Sequence, residues 1–168
     1  MNASDLTREL VEASAGAGER TRRAARVAAA IRAFGGYRWV GVYDVGAEEI
    51  SIVGWDGPGP PAYPRFPRGE GLCGAAVMAR RTVVVGDVAA DPRYLTTHTT
   101  TRSEIVVPVS SAGAPAGLID VESERPQAFG QADERLLERC AALISPLWRP
   151  ERAGEALSAE RARRQAGG

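Results

Sequence analysis

The chain predicts an α+β domain: an antiparallel sheet with helices packed on one of its faces. Three observations carry this. Runs of alternating apolar and polar residues follow one another between Tyr37 and Ser123, separated by turns short enough for hairpins. Apolar residues at helical spacing cluster instead at the two ends of the chain. At 168 residues, the length suits one domain with a core of its own.

Taken in order, Leu6, Leu10, Val27, Ala28 and Ile31 keep helical spacing between Asp5 and Phe34, with Gly16 and Gly18 dividing the stretch into two helices. Gly35-Gly36 then supplies a stop signal. Strands are predicted at Tyr37 to Val45 and Glu49 to Trp55, followed by an exposed Pro/Gly-rich loop from Asp56 to Pro67. A short helix from Gly71 to about Arg80 and a strand from Thr82 to Val85 come next. The polar stretch Ala89 to Thr101 reads as a loop or lid. Ser103 to Val109 and Ala116 to Ser123 form a hairpin around Ser111-Ala112-Gly113. Finally, Gln131 to Leu147 aligns Leu136, Leu137, Cys140, Ala141 and Ile144 on one helical face. The division is thus a helical segment over 1–35, a core over 36–148 and a polar tail over 149–168.

Composition excludes several function classes. The 21 basic and 21 acidic residues cancel, so no overall field gathers nucleic acid or anionic lipid. Every basic residue is an arginine, which removes Schiff-base chemistry and the lysine of Walker-type phosphate loops. No run approaches the ~18 apolar residues of a membrane span. Met1 to Glu12 lacks the basic start and apolar stretch of a signal peptide, so a cytoplasmic location with free thiols is expected. One histidine, His98, with Cys73 and Cys140 far apart, makes no zinc motif; neither metal nor cofactor is implied.

The candidate site comes from alternation. Side chains switch faces at every strand residue, so Asp120 and Glu122 point the same way. Ile105, Val107 and Val109 fall on the core face of the preceding strand, and Glu104 falls with Val106 and Pro108 on the other. Three carboxylates facing one another repel, and a bound cation would relieve them. The bland alternative is a solvated strand face. Trp39 and Tyr43, four apart on one strand, share a face and fit either a core or a cage for a cation. Gly69, Gly71 and Gly74 flank a helix start, where free amide hydrogens attract anions and the dipole would favour a Cys73 thiolate. Cys140 lies in the apolar helical stripe.

Three strings, Gly69-Glu70-Gly71-Leu72-Cys73-Gly74, Ser103-Glu104-Ile105-Val106-Val107-Pro108 and Gly117-Leu118-Ile119-Asp120-Val121-Glu122-Ser123, together resemble the GAF domain, from roughly Gly36 to Ile144. Within that family they are most similar to the small free methionine-(R)-sulfoxide reductases. The resemblance implies a GAF-like sheet with a ligand pocket on the face away from the terminal helices. It implies that Glu104, Asp120 and Glu122 hold the amino group of a free amino acid and that Trp39 and Tyr43 wall the pocket. It also implies a departure, because those reductases use three cysteines and only the middle one, Cys73, is kept. Tyr63 stands ten positions before it and Thr97 seven before Glu104, where the family's reductases carry thiols.

The reading that follows is a non-catalytic GAF module binding a small molecule with an amino group, with methionine or its sulfoxide foremost. A surviving reductase acting through Cys73, and a homodimerising regulatory module with a vestigial pocket, are the alternatives. Cyclic nucleotides, bound by other GAF branches, are disfavoured by the carboxylates. Covalent bilin attachment is disfavoured because Gly74, not histidine, follows Cys73.

Overall fold

The computed structural model describes residues 2–96 and 98–149. Two helices open the chain: α1 (Ala3–Ala15) and α2 (Arg20–Gly35). Asn2 and Asp5 close the start of α1 reciprocally, each side chain accepting from the other's backbone N–H at 3.0–3.1 Å. The glycine-bearing break between the helices falls where the sequence places it. Strands β1 (Trp39–Val45), β2 (Glu49–Asp56) and β3 (Arg65–Pro67) follow, then α3 (Gly71–Ala79) and β4 (Val83–Val85). A 3₁₀ turn, Val88–Ala90, precedes the long pair β5 (Ser103–Ser111) and β6 (Ala114–Ser123), and α4 (Gln131–Ile144) ends in a second 3₁₀ turn, Ser145–Trp148.

All six strands join one antiparallel sheet in the order β3-β2-β1-β6-β5-β4. The β5–β6 connection is a tight turn with Ala112 and Gly113 both at positive φ, the twist that matches flanking strands. The loop expected from Asp56 to Pro67 is interrupted by β3, which pairs with the outer edge of β2. Propensity could not show it, because Arg65-Phe66-Pro67 has no alternation of its own. Similarly, Val88–Ala90 winds into a turn because the Asp87 side chain accepts from Ala89 N–H.

One face of the sheet carries Val40, Val42, Ile105, Val107, Val109, Ile119 and Val121 against α1, α2 and α4. The opposite face carries Trp39, Tyr43, Val106 and Leu118 against Leu72, Cys73, Ala76 and Val77 of α3. Both faces of the central strands are therefore buried, and the acids sit within a second core rather than on an open surface. No helix among the described residues is long and apolar enough to cross a membrane. The tail over 150–168 lies outside the described residues.

Candidate ligand-binding site

Register sets the site. Glu104 stands directly opposite Glu122, Val106 opposite Asp120, and across the other ladder Trp39 faces Glu122 while Gly41 faces Asp120. Period-two geometry thus delivers all three acids, Trp39 and Tyr43 to one face, as the sequence predicts. A side chain at Gly41 would collide with both rings, its Cβ lying 2.4 Å from Trp39 and 2.8 Å from Tyr43. Its absence lets those rings close to 6.4 Å between centroids over the strand.

The acids are enclosed. Glu104 is 4% exposed, Asp120 3% and Glu122 fully buried. Between β5, β6 and α3 lies a hollow of about 20 Å³ lined by Tyr43, Cys73, Glu104 and Asp120. Leu72, Phe66 and Gly71 extend its wall, and Tyr63 and Leu95 complete it. Tyr63, exposed to 48%, stands at its edge, and Leu95 rests over the start of α3, its Cδ1 3.0 Å from where a Gly71 Cβ would be. This volume holds about one water molecule.

Trp39 and Glu122 do not line the hollow. The Trp39 indole N–H donates to the Gly59 carbonyl at 3.0 Å, and its ring packs on the His98 imidazole with centroids 5.6 Å apart. Glu122 accepts a hydrogen bond from the Thr101 hydroxyl. Both form the layer beside the hollow. Arg102, next to the acidic strand, is exposed. Thr97 lies outside the described residues.

Burial, then the charge of Asp120 and Glu122, pushes the Glu104 carboxyl well above its ordinary range; a hydrogen bond it shares with Asp120 acts in the same direction. Burial and the Glu122 charge also raise Asp120, while the bond from Glu104 opposes the rise. Burial and mutual repulsion therefore favour the protonated form of both acids in the empty pocket. Each still keeps one buried oxygen, Glu104 Oε2 and Asp120 Oδ1, with no hydrogen-bond partner among the described residues. Neither makes an ion pair among those residues.

Cys73 corrects an expectation. It occupies the third position of α3, where the dipole favours a thiolate, yet burial and then the charges of Asp120, Glu104 and Glu122 push its thiol well above the ordinary value. Desolvation and nearby carboxylates outweigh a partial charge at a helix end. Cys140 sits in the helix-side core with its thiol raised to about 11, mainly by burial.

Sequence reasoning missed Phe66, Leu72 and Leu95 as lining residues and named Tyr63 only for the thiol it lacks. Their one signal is apolar character beside stretches rich in Pro, Gly and Thr.

An antiparallel sheet with helices behind and a small pocket between the sheet and α3 in front defines the class of α+β domains with a ligand-sized site on one sheet face. The GAF domain family matches residues 19–146, and the chain belongs to that family. GAF domain-containing protein A of Dictyostelium discoideum is 33% identical over 121 residues, 71% of this chain and 75% of its own. Two solved structures are of free methionine-R-sulfoxide reductases. The Neisseria meningitidis enzyme, in complex with its substrate, has a TM-score of 0.77 and 31% identity, covering 86% of this chain and 87% of its own. The type II enzyme of Thermoplasma acidophilum has a TM-score of 0.70 and 33% identity, covering 77% and 94%.

Proposed function

We propose that this GAF domain binds a small zwitterion through its ammonium group, a free amino acid of the methionine or methionine-sulfoxide type, without turning it over. The observation that carries the reading is the buried pair Glu104 and Asp120, each with an unpartnered oxygen and neither matched by an arginine. Such a pair is costly when empty. An ammonium has three donors and one positive charge, so it satisfies both orphan oxygens and lets both carboxylates ionise. Glu122 adds charge from the adjoining layer, Tyr43 and Phe66 supply an apolar wall, and the Cys73 thiol lies beside the two acids.

Entry of an amino acid requires more room than the closed hollow gives. Leu95 and Tyr63, the two lining side chains supplied by loops, are the ones that must swing aside. Substrate-bound reductases of the same fold support the ligand class.

Turnover would need a thiolate to take the sulfoxide oxygen, releasing the thioether and becoming a sulfenic acid, which a second thiol then reduces. Cys73 is held as a thiol by its surroundings, and Cys140 is on the other side of the sheet. Catalysis is therefore not assigned. Self-association through the terminal helices, in a cytoplasmic setting, is a separate proposal that analytical ultracentrifugation across concentrations would test.

A thermal-shift series separates the readings. Amino acids and their sulfoxides should raise the melting temperature, because a ligand selective for the native state adds about 2.7 kcal/mol at a hundred times its Kd. The corresponding compounds lacking the amino group should not. Equal shifts from both sets would refute ammonium recognition, and thiol-driven loss of the R-sulfoxide, abolished in Cys73→Ser, would establish the reductase instead.

A further inference from the structure

We propose that Cys73, Glu104 and Asp120 form a binding site for a single thiophilic divalent cation of the zinc class. The site shares Glu104 and Asp120 with the amino-acid reading and adds the Cys73 sulfur. Three elements supply it: Cys73 from the first turn of α3, Glu104 from β5 and Asp120 from β6. One ligand atom from each lies within 4.8 Å of the other two, and all three residues are buried. Tetrahedral zinc, with bonds of about 2.3 Å to sulfur and 2.0–2.2 Å to oxygen, places its ligands about 3.4–3.6 Å apart. Closing this gap takes a contraction of up to about 1.4 Å, within the reach of rotamer adjustment.

A second observation points to a ligand. Glu104 Oε2 and Asp120 Oδ1 are buried, lack hydrogen-bond partners among the described residues, and belong to side chains that line the same hollow. That hollow, at about 20 Å³, takes a single ion without the loop movement an amino acid needs. Charge agrees with size. A thiolate and two carboxylates offer three negative charges, which a dication largely neutralises. The donor set also chooses the metal: thiolate favours zinc, cobalt or cadmium over magnesium and calcium, which prefer all-oxygen shells. Three protein ligands leave a fourth position toward the hollow for water. Because the same carboxylates would hold an ammonium, cation and amino acid exclude one another.

The test is a titration of the chelator-treated full chain with Co²⁺. The expected result is a thiolate-to-cobalt charge-transfer band that saturates at one equivalent, is displaced by Zn²⁺ and is unaffected by Mg²⁺ or Ca²⁺. The band should vanish in Cys73→Ser and persist in Cys140→Ser. Asp120→Asn should weaken binding at least about 10-fold, since losing even an outer-shell partner of a metal ligand costs roughly 10–100-fold. Asp120→Asn also serves if Cys73→Ser does not fold. Absence of the band, or its survival in Cys73→Ser, overturns the site. Amino-acid binding without the band removes the metal proposal and leaves the earlier reading; the band without amino-acid binding does the reverse.

Discussion

The two faces of the central hairpin are buried to the same depth and built for opposite purposes. On the helix side, Ile105, Val107, Val109, Ile119 and Val121 meet α1, α2 and α4 with apolar atoms alone. One residue along, on the other side, Glu104, Asp120 and Glu122 are as inaccessible as the valines. Burying an apolar side chain contributes roughly 1.5–3 kcal/mol, whereas burying the unpartnered oxygens of Glu104 and Asp120 subtracts from stability. The first face holds the fold together. The second is kept at a cost to the empty protein, and the difference teaches that its chemistry is retained for something other than stability.

The widest gap between the faces should appear on truncation. Leu137→Ala, on the helix side and fully buried, should destabilise by about 2–5 kcal/mol in urea unfolding while leaving ligand affinity in the folded fraction unchanged. A loss of affinity as large as the loss of stability would mean that the faces are not separable. On the acidic face the signs should oppose each other. Asp120→Asn should weaken amino-acid binding by about 1.5–3 kcal/mol in calorimetry, the scale of a hydrogen bond to a charged group, and should raise the stability of the empty protein.

The pH dependence sharpens the contrast. Glu104 and Asp120 have native pKa values raised above those of the unfolded chain, so between the two values the native state holds more protons. Stability of the metal-free, ligand-free protein should therefore be unaffected by these groups below about pH 4 and fall as pH rises above it. The slope is about 1.4 kcal/mol per pH unit for each extra proton held. Saturating ligand should flatten that slope, and a flat profile without ligand would show the acids ionised in the empty pocket. The smallest effect belongs to the helix side. Tyr37→Phe removes a 3.0 Å hydrogen bond from the phenol to Asp133 and should cost about 0.5–1.5 kcal/mol with no change in binding.

Legibility in the sequence followed the range of the interactions. The break between α1 and α2, the helical stripe from Leu137 to Ile144 and the hairpin of β5 and β6 rest on spacing within one element, and each appears close to its predicted bounds. β3 and the turn at Val88–Ala90 depend on a distant strand and on one side chain, so alternation is silent about them. In the site, Tyr43, Cys73, Glu104 and Asp120 converge as the motifs suggest, while Trp39 and Glu122 stand one layer aside. Leu95 and Phe66 were invisible because nothing local tells a side chain in a loop or a three-residue strand which pocket it will cover.

The sequence by itself determined that Asp120 and Glu122 share a sheet face, because backbone pleating fixes side-chain direction within one strand with no help from the rest of the molecule. It determined the family as well, through the same three strings. Only the tertiary structure decided that this face is roofed by α3, that Glu104 meets Glu122 across the ladder with Asp120 beside them, and that Cys73 is kept protonated. Those outcomes depend on dielectric and on distances between residues far apart in the chain, quantities that exist only once the chain has closed around them.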